Sequence, residues 1–88
     1  MQMNCSVICN EDDGHLSAKT EYRIATIVRK SKCECSITRG NKTVTAGSLL
    51  ILMALDLKDG DIVTITSDNA DCVYKICDIL QEIDKVGV

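Results

Sequence analysis

The segment 33–46, CECSITRGNKTVTA, restricts the possible folds more than any other part of the chain. Two alternating runs, CECSIT and KTVTA, flank RGNK, and Gly40-Asn41 is a two-residue turn of the primed kind, the signature of an antiparallel β-hairpin. Such strands bury one face and leave the other to solvent, so the rest of the chain must supply a layer that covers the apolar side.

Apolar spacing elsewhere supplies the other elements. Residues 2–9 alternate, with Met3, Cys5, Val7 and Cys9 on one face, which predicts a half-buried strand that NEDDG then ends. From Thr20 to Lys32 the spacing turns helical, with Ile24, Ile27 and Val28 in one stripe, Thr20 as N-cap, and RKSK complementing the negative end of the dipole. GSLLILMAL, residues 47–55, predicts a short helix capped by Ser48, and DLKDGD turns the chain. IVTITS is a further strand with Val63 and Ile65 inward. SDN offers caps for a last helix over about 70–85, with a stripe of Val73, Ile76, Cys77, Leu80 and Ile83. The order β-α-β-β-α-β-α predicts one α+β domain over residues 1–88, a two-layer structure of a four-stranded antiparallel sheet with helices on one face.

Charge and cysteine usage exclude several functions. A net charge of −3 and a pI near 4.9 argue against a nucleic-acid or anionic-membrane surface. MQMNCSVIC has neither the basic region nor the apolar run of a signal peptide, and no segment has transmembrane length, so a cytoplasmic protein is expected. With no Pro, Trp or Phe, the core must be built from Ile, Leu, Val and Cys. The six cysteines lie in apolar-patterned segments; Cys33-x-Cys35 and Cys5-x-x-x-Cys9 each suit one face of a strand and neither is a CxxC knuckle. They read as small buried hydrophobes with no metal site; a thiol or zinc module would instead hold stoichiometric zinc and lose its fold to a chelator.

The short helix has more apolar residues than it can bury. Leu52 and Leu55 can face the sheet together, and Leu49, Leu50 and Met53 cannot then all be covered. An exposed patch of this kind marks a partner-binding surface.

The order of elements, together with ITRGNKTVTAGSLLILMALDLKDGDIVTIT, resembles the histidine-containing phosphocarrier protein (HPr) family of the bacterial sugar phosphotransferase system. The resemblance implies an open-faced sandwich and a phosphoryl carrier rather than an enzyme, with no cofactor. In that family a histidine in a Gly-Leu-His-x-Arg-Pro motif at the start of the first helix takes phosphate from enzyme I and passes it to a sugar permease component. Helix amides and an arginine hold the phosphate charge there.

This chain departs from the motif. Counted from the N-terminus, Asp13-Gly14-His15 falls near the Gly-Leu-His; counted back from ATIVRKSK, the histidine position falls on Thr20 and the arginine position on Tyr22. A threonine ester lacks the transfer potential of a phosphohistidine. Glu21 would also set a like charge near the phosphate, costing ~2–3 kcal/mol at roughly 6 Å and an effective dielectric of about 20. The resemblance therefore implies a degenerate regulatory or binding paralogue, its Leu49, Leu50 and Met53 meeting a phosphotransferase component or a regulator. Ser48 matches the serine that a dedicated kinase phosphorylates in one branch of the family. The alternative is an active carrier that accepts phosphate on His15, with Lys19 or Arg23 in place of the arginine and the carboxylates of Glu11, Asp12 and Asp13 opposing it.

Overall fold

In the computed structural model, which describes residues 1–9 and 14–81, the elements follow in the expected order. They are β1 (Gln2–Ser6), α1 (Ala18–Ser31), β2 (Cys35–Arg39), β3 (Lys42–Thr45), α2 (Leu49–Leu55), β4 (Ile62–Ser67) and α3 (Ala70–Leu80). The strands form one antiparallel sheet in the spatial order β1-β4-β2-β3. Arg39 pairs with Lys42 across Gly40-Asn41, and Gly40 takes φ +63° while Asn41 does not have positive φ, the pattern of a II′ hairpin turn.

Period-two alternation sorts the strand residues onto two faces. Cys5, Cys35, Ile37, Val63 and Ile65 are buried beneath the helices, with Ile24, Ala25 and Val28 from α1, Leu52 and Leu55 from α2, and Val73, Ile76, Cys77 and Leu80 from α3. Among the described residues no buried side chain is aromatic, so the layers are joined by aliphatic and thiol groups, as the composition required. Fully burying one of these aliphatic side chains contributes about 1.5–3 kcal/mol, which makes the periodicity a dominant local signal. The outer face carries two cross-strand rows, Gln2-Thr66-Ser36-Thr45 and Asn4-Thr64-Thr38-Thr43, and none of these residues is charged. Its polar side chains bond to one another: Thr38 Oγ1 lies 2.8 Å from Thr43 Oγ1, and Thr64 donates to Asn4 Oδ1 at 2.6 Å.

Three boundaries differ from the expectation by two residues or more. β1 ends at Ser6 rather than residue 9, because the Ile8 N–H leaves the sheet and bonds to Leu80 O at the end of α3 (2.8 Å); Val7 nonetheless stays fully buried. β2 starts at Cys35, so Cys33 precedes the strand, half-buried against the core. The first helix starts before Thr20: Ser17 is the N-cap, its Oγ accepting the Thr20 N–H at 3.2 Å and lying 2.9 Å from Thr20 Oγ1. Thr20 is thus inside the first turn. The last helix is described to Leu80; its expected continuation toward residue 85, Ile83 included, lies outside the described residues.

The cap assignment predicts that Ser17→Ala destabilises the protein by about 1 kcal/mol and Thr20→Ala by clearly less, measured by urea denaturation. Equal or reversed losses would return the cap to Thr20.

Candidate functional site

The turn after α2 positions the lone histidine. Asp56 caps that helix in the left-handed conformation (φ +56°), its N–H bonded to Met53 O, a position that Gly usually takes and Asp tolerates. The following residues pair with the segment before α1. The Leu16 N–H bonds to Leu57 O (2.9 Å), the Asp59 N–H bonds to Gly14 O (2.8 Å), and His15 and Lys58 form an isolated antiparallel bridge. His15 is thereby set over the Asp56 carboxylate, its Nδ1 2.8 Å from Oδ1, with the two side chains 41% and 54% exposed. An ionised carboxylate only accepts, so Nδ1 carries the proton in this contact. At this exposure the pair adds at most about 1 kcal/mol to stability; its consequence is orientation.

Further charges surround the pair. Lys58 Nζ lies 3.9 Å from Asp56 Oδ2. Arg39 Nη1 donates to Asp56 O (3.1 Å) and to Asp61 Oδ2 (3.2 Å), fastening the base of the hairpin to the turn. Glu21, in the first turn of α1, is buried, and its carboxyl is pushed above the usual carboxylate range first by burial and then by the nearby Asp56. The positive end of one helix and the acidic cap of another therefore share two carboxylates and one imidazole.

Of the residues expected at a site, His15 lies beside the start of α1, two residues before its cap, and Lys19 and Arg23 stand exposed on α1. Lys58 and Arg39 flank Asp56, and sequence reasoning did not select them. Glu11, Asp12 and Asp13 lie outside the described residues. Among the described residues no group of His, Cys, Asp and Glu could hold a metal ion, and no helix is long and apolar enough to cross a membrane.

α2 presents the second candidate surface. Leu52 and Leu55 are buried, while Leu50 is 76% and Met53 47% exposed, with Leu49 half-buried beside them. Ile51 and Ala54 join this exposed face; Ile51 was missed because every position of the segment is apolar and only the packing sorts them. Ser48 caps the helix, its Oγ accepting the Ile51 N–H at 3.4 Å.

The family model described as the PTS HPr component phosphorylation site matches residues 5–82. No curated protein matches the sequence significantly. Among solved structures, HPr-C-His from Thermoanaerobacter tengcongensis superposes with a TM-score of 0.79 at 18% identity, over 100% of this chain and 97% of that one. The phosphocarrier protein HPr from Bacillus anthracis str. Ames gives 0.79 at 21% identity, over 92% and 96%. The histidine-containing phosphocarrier protein of Mycoplasma gives 0.71 at 20%, over 93% and 89%. At such identities these superpositions show the shared fold.

The burial of Glu21 has a signed consequence for stability. Because the folded chain holds the Glu21 proton more tightly than the unfolded chain does, stability falls as pH rises from the ordinary carboxylate range through the raised folded value. Glu21→Gln removes that loss. It should raise the melting temperature by a few degrees near neutral pH and flatten the decline, followed by thermal denaturation across the mildly acidic to neutral range. A variant that melts lower than the parent at neutral pH would show that the carboxylate is stabilised by its surroundings instead.

Proposed function

The chain belongs to the HPr family, whose members carry a phosphoryl group rather than catalyse its transfer, and we propose that it is a cytoplasmic binding member of the sugar phosphotransferase system that does not relay phosphate through a histidine. The observation that carries this reading is the Nδ1 contact of its single histidine with Asp56 at 2.8 Å, beside the buried Glu21. A phosphate on that nitrogen would displace the Asp56 carboxylate and meet two like charges where helix amides and a cation should receive it. The surface for binding is the exposed face of α2, with Leu49, Leu50, Met53 and the adjoining Ile51 against enzyme I, a permease component or a regulator. In the regulatory version a kinase modifies Ser48; Ser48→Ala then abolishes labelling.

One observation favours the alternative, an active carrier. By holding the proton on Nδ1, Asp56 leaves the lone pair on Nε2, and a ring that is 41% exposed presents a nucleophile there. In this version Lys19 or Arg23 would answer the phosphate charge.

Incubation with phosphoenolpyruvate and an enzyme I shown active on an ordinary carrier separates the two. Our reading expects no acid-labile phosphate on this chain; label that disappears in His15→Ala would replace it with the carrier. For the binding surface, Leu50→Asp should change stability by no more than about 0.5 kcal/mol while weakening the complex with enzyme I at least about tenfold by calorimetry. Unchanged affinity would remove α2 from the interface.

A further inference from the structure

Five of the six cysteines form a line of thiols from the core to the surface. Cys5 of β1 meets Cys77 of α3, Cys35 of β2 lies near Cys77 and against Cys72 of α3, and Cys72 is within hydrogen-bonding reach of both Cys35 and Cys33. All are free. The backbone holds this register. Cys35 pairs with Ser67, whose Oγ donates to Glu34 O at 2.7 Å, and two residues later Asn69 caps α3 by accepting the Cys72 N–H at 3.2 Å. The segment carrying Cys33 is thus tied to the first turn of α3 by hydrogen bonds other than its thiol contacts.

The inner thiols are closed off from reagents. Cys72 is 1% exposed, and burial followed by its contact with Cys33 pushes its thiol up to about 12; burial likewise holds Cys35 at about 11 and Cys5 at about 12. Cys33 differs. It is half-buried and opens onto two concavities of about 720 and 530 Å³, the first also lined by Arg29 and Lys32 and the second by Lys32 and Asn69.

We propose that Cys33 and Cys72 are a site of reversible oxidation, in which a peroxide enters at Cys33 and the two sulfurs close an intramolecular disulfide. The Cys33 thiolate attacks one peroxide oxygen and breaks the O–O bond, giving a sulfenic acid and, after protonation, one water. The Cys72 sulfur then displaces the sulfenic hydroxyl, which leaves as a second water with the Cys72 proton. Two thiols are oxidised and one peroxide is reduced. Contact between the thiols supplies the high effective concentration that compensates for a buried, poorly ionised Cys72. The bond would join the α1–β2 connection to α3 and close a loop of about forty residues, which stabilises by restricting the unfolded chain.

Hydrogen peroxide treatment of the folded full chain, followed by thiol titration in denaturant and intact mass, tests this. The expected product is a monomer that has lost two titratable thiols and two hydrogens, melts several degrees higher, and reverts with dithiothreitol. Because Cys33 and Cys35 fall in one tryptic peptide, assignment rests on variants: Cys35→Ser keeps the bridge to Cys72 and Cys33→Ser does not form it, each variant first shown folded by circular dichroism. An unchanged thiol count, a product linked between chains, or a bridge that survives in Cys33→Ser overturns the proposal.

Discussion

The turn from Asp56 to Asp61 is the constraint on which the site depends. Within six residues it accepts or donates backbone hydrogen bonds to Val7, Gly14 and Leu16, and its Asp59 and Asp61 side chains take the N–H groups of Cys9 and Lys58. Two left-handed residues, Asp56 and Gly60, shape it, and buried Leu57 pins it to the core. Arg39 adds a clasp from the hairpin. The exit of β1, the approach to α1, the end of α2 and the start of β4 are therefore placed relative to one segment. The position of His15 is a consequence of this turn rather than of its own neighbours in sequence.

That dependence explains what could be read in advance. Element types and order were legible because each follows from local spacing: alternation around Gly40-Asn41, and threes and fours in ATIVRKS and DCVYKICDIL. The start of α1 was less legible, since SAKT offers both Ser17 and Thr20 as caps and only the path of the preceding loop decides between them. The partner of His15 was hidden, because Asp56 lies 41 positions away and meets it through a turn whose conformation has no distinctive glycine at that point. The burial of Glu21 was hidden too. An acidic residue in a first turn looks like an exposed complement to the dipole, and here it is 5% exposed.

On the proposed reading, the same geometry gives a physical account of how relay chemistry and fold separate. The amides at the start of α1 carry the positive end of the helix dipole, and Glu21 sets a buried carboxyl from within the chain in the same first turn. A second carboxylate holds the imidazole. Both carboxylates lie at helix ends, Glu21 in the first turn of α1 and Asp56 as the cap of α2, and the buried aliphatic stripes of α1 and α3 are built from other residues.

The outer face of the sheet carries two rows of amides and hydroxyls without a formal charge, so among the described residues the ionised groups sit on the helical side and at the loop ends. The field of the molecule is correspondingly lopsided. A charged partner experiences a torque set by the charges on the helices and the 56–61 turn, which draws regions of opposite sign toward it and turns like-charged ones away, while the sheet offers little long-range pull or push. Encounters are thus biased toward one hemisphere before any contact is made, and added salt would erase that bias without altering a single residue at the interface.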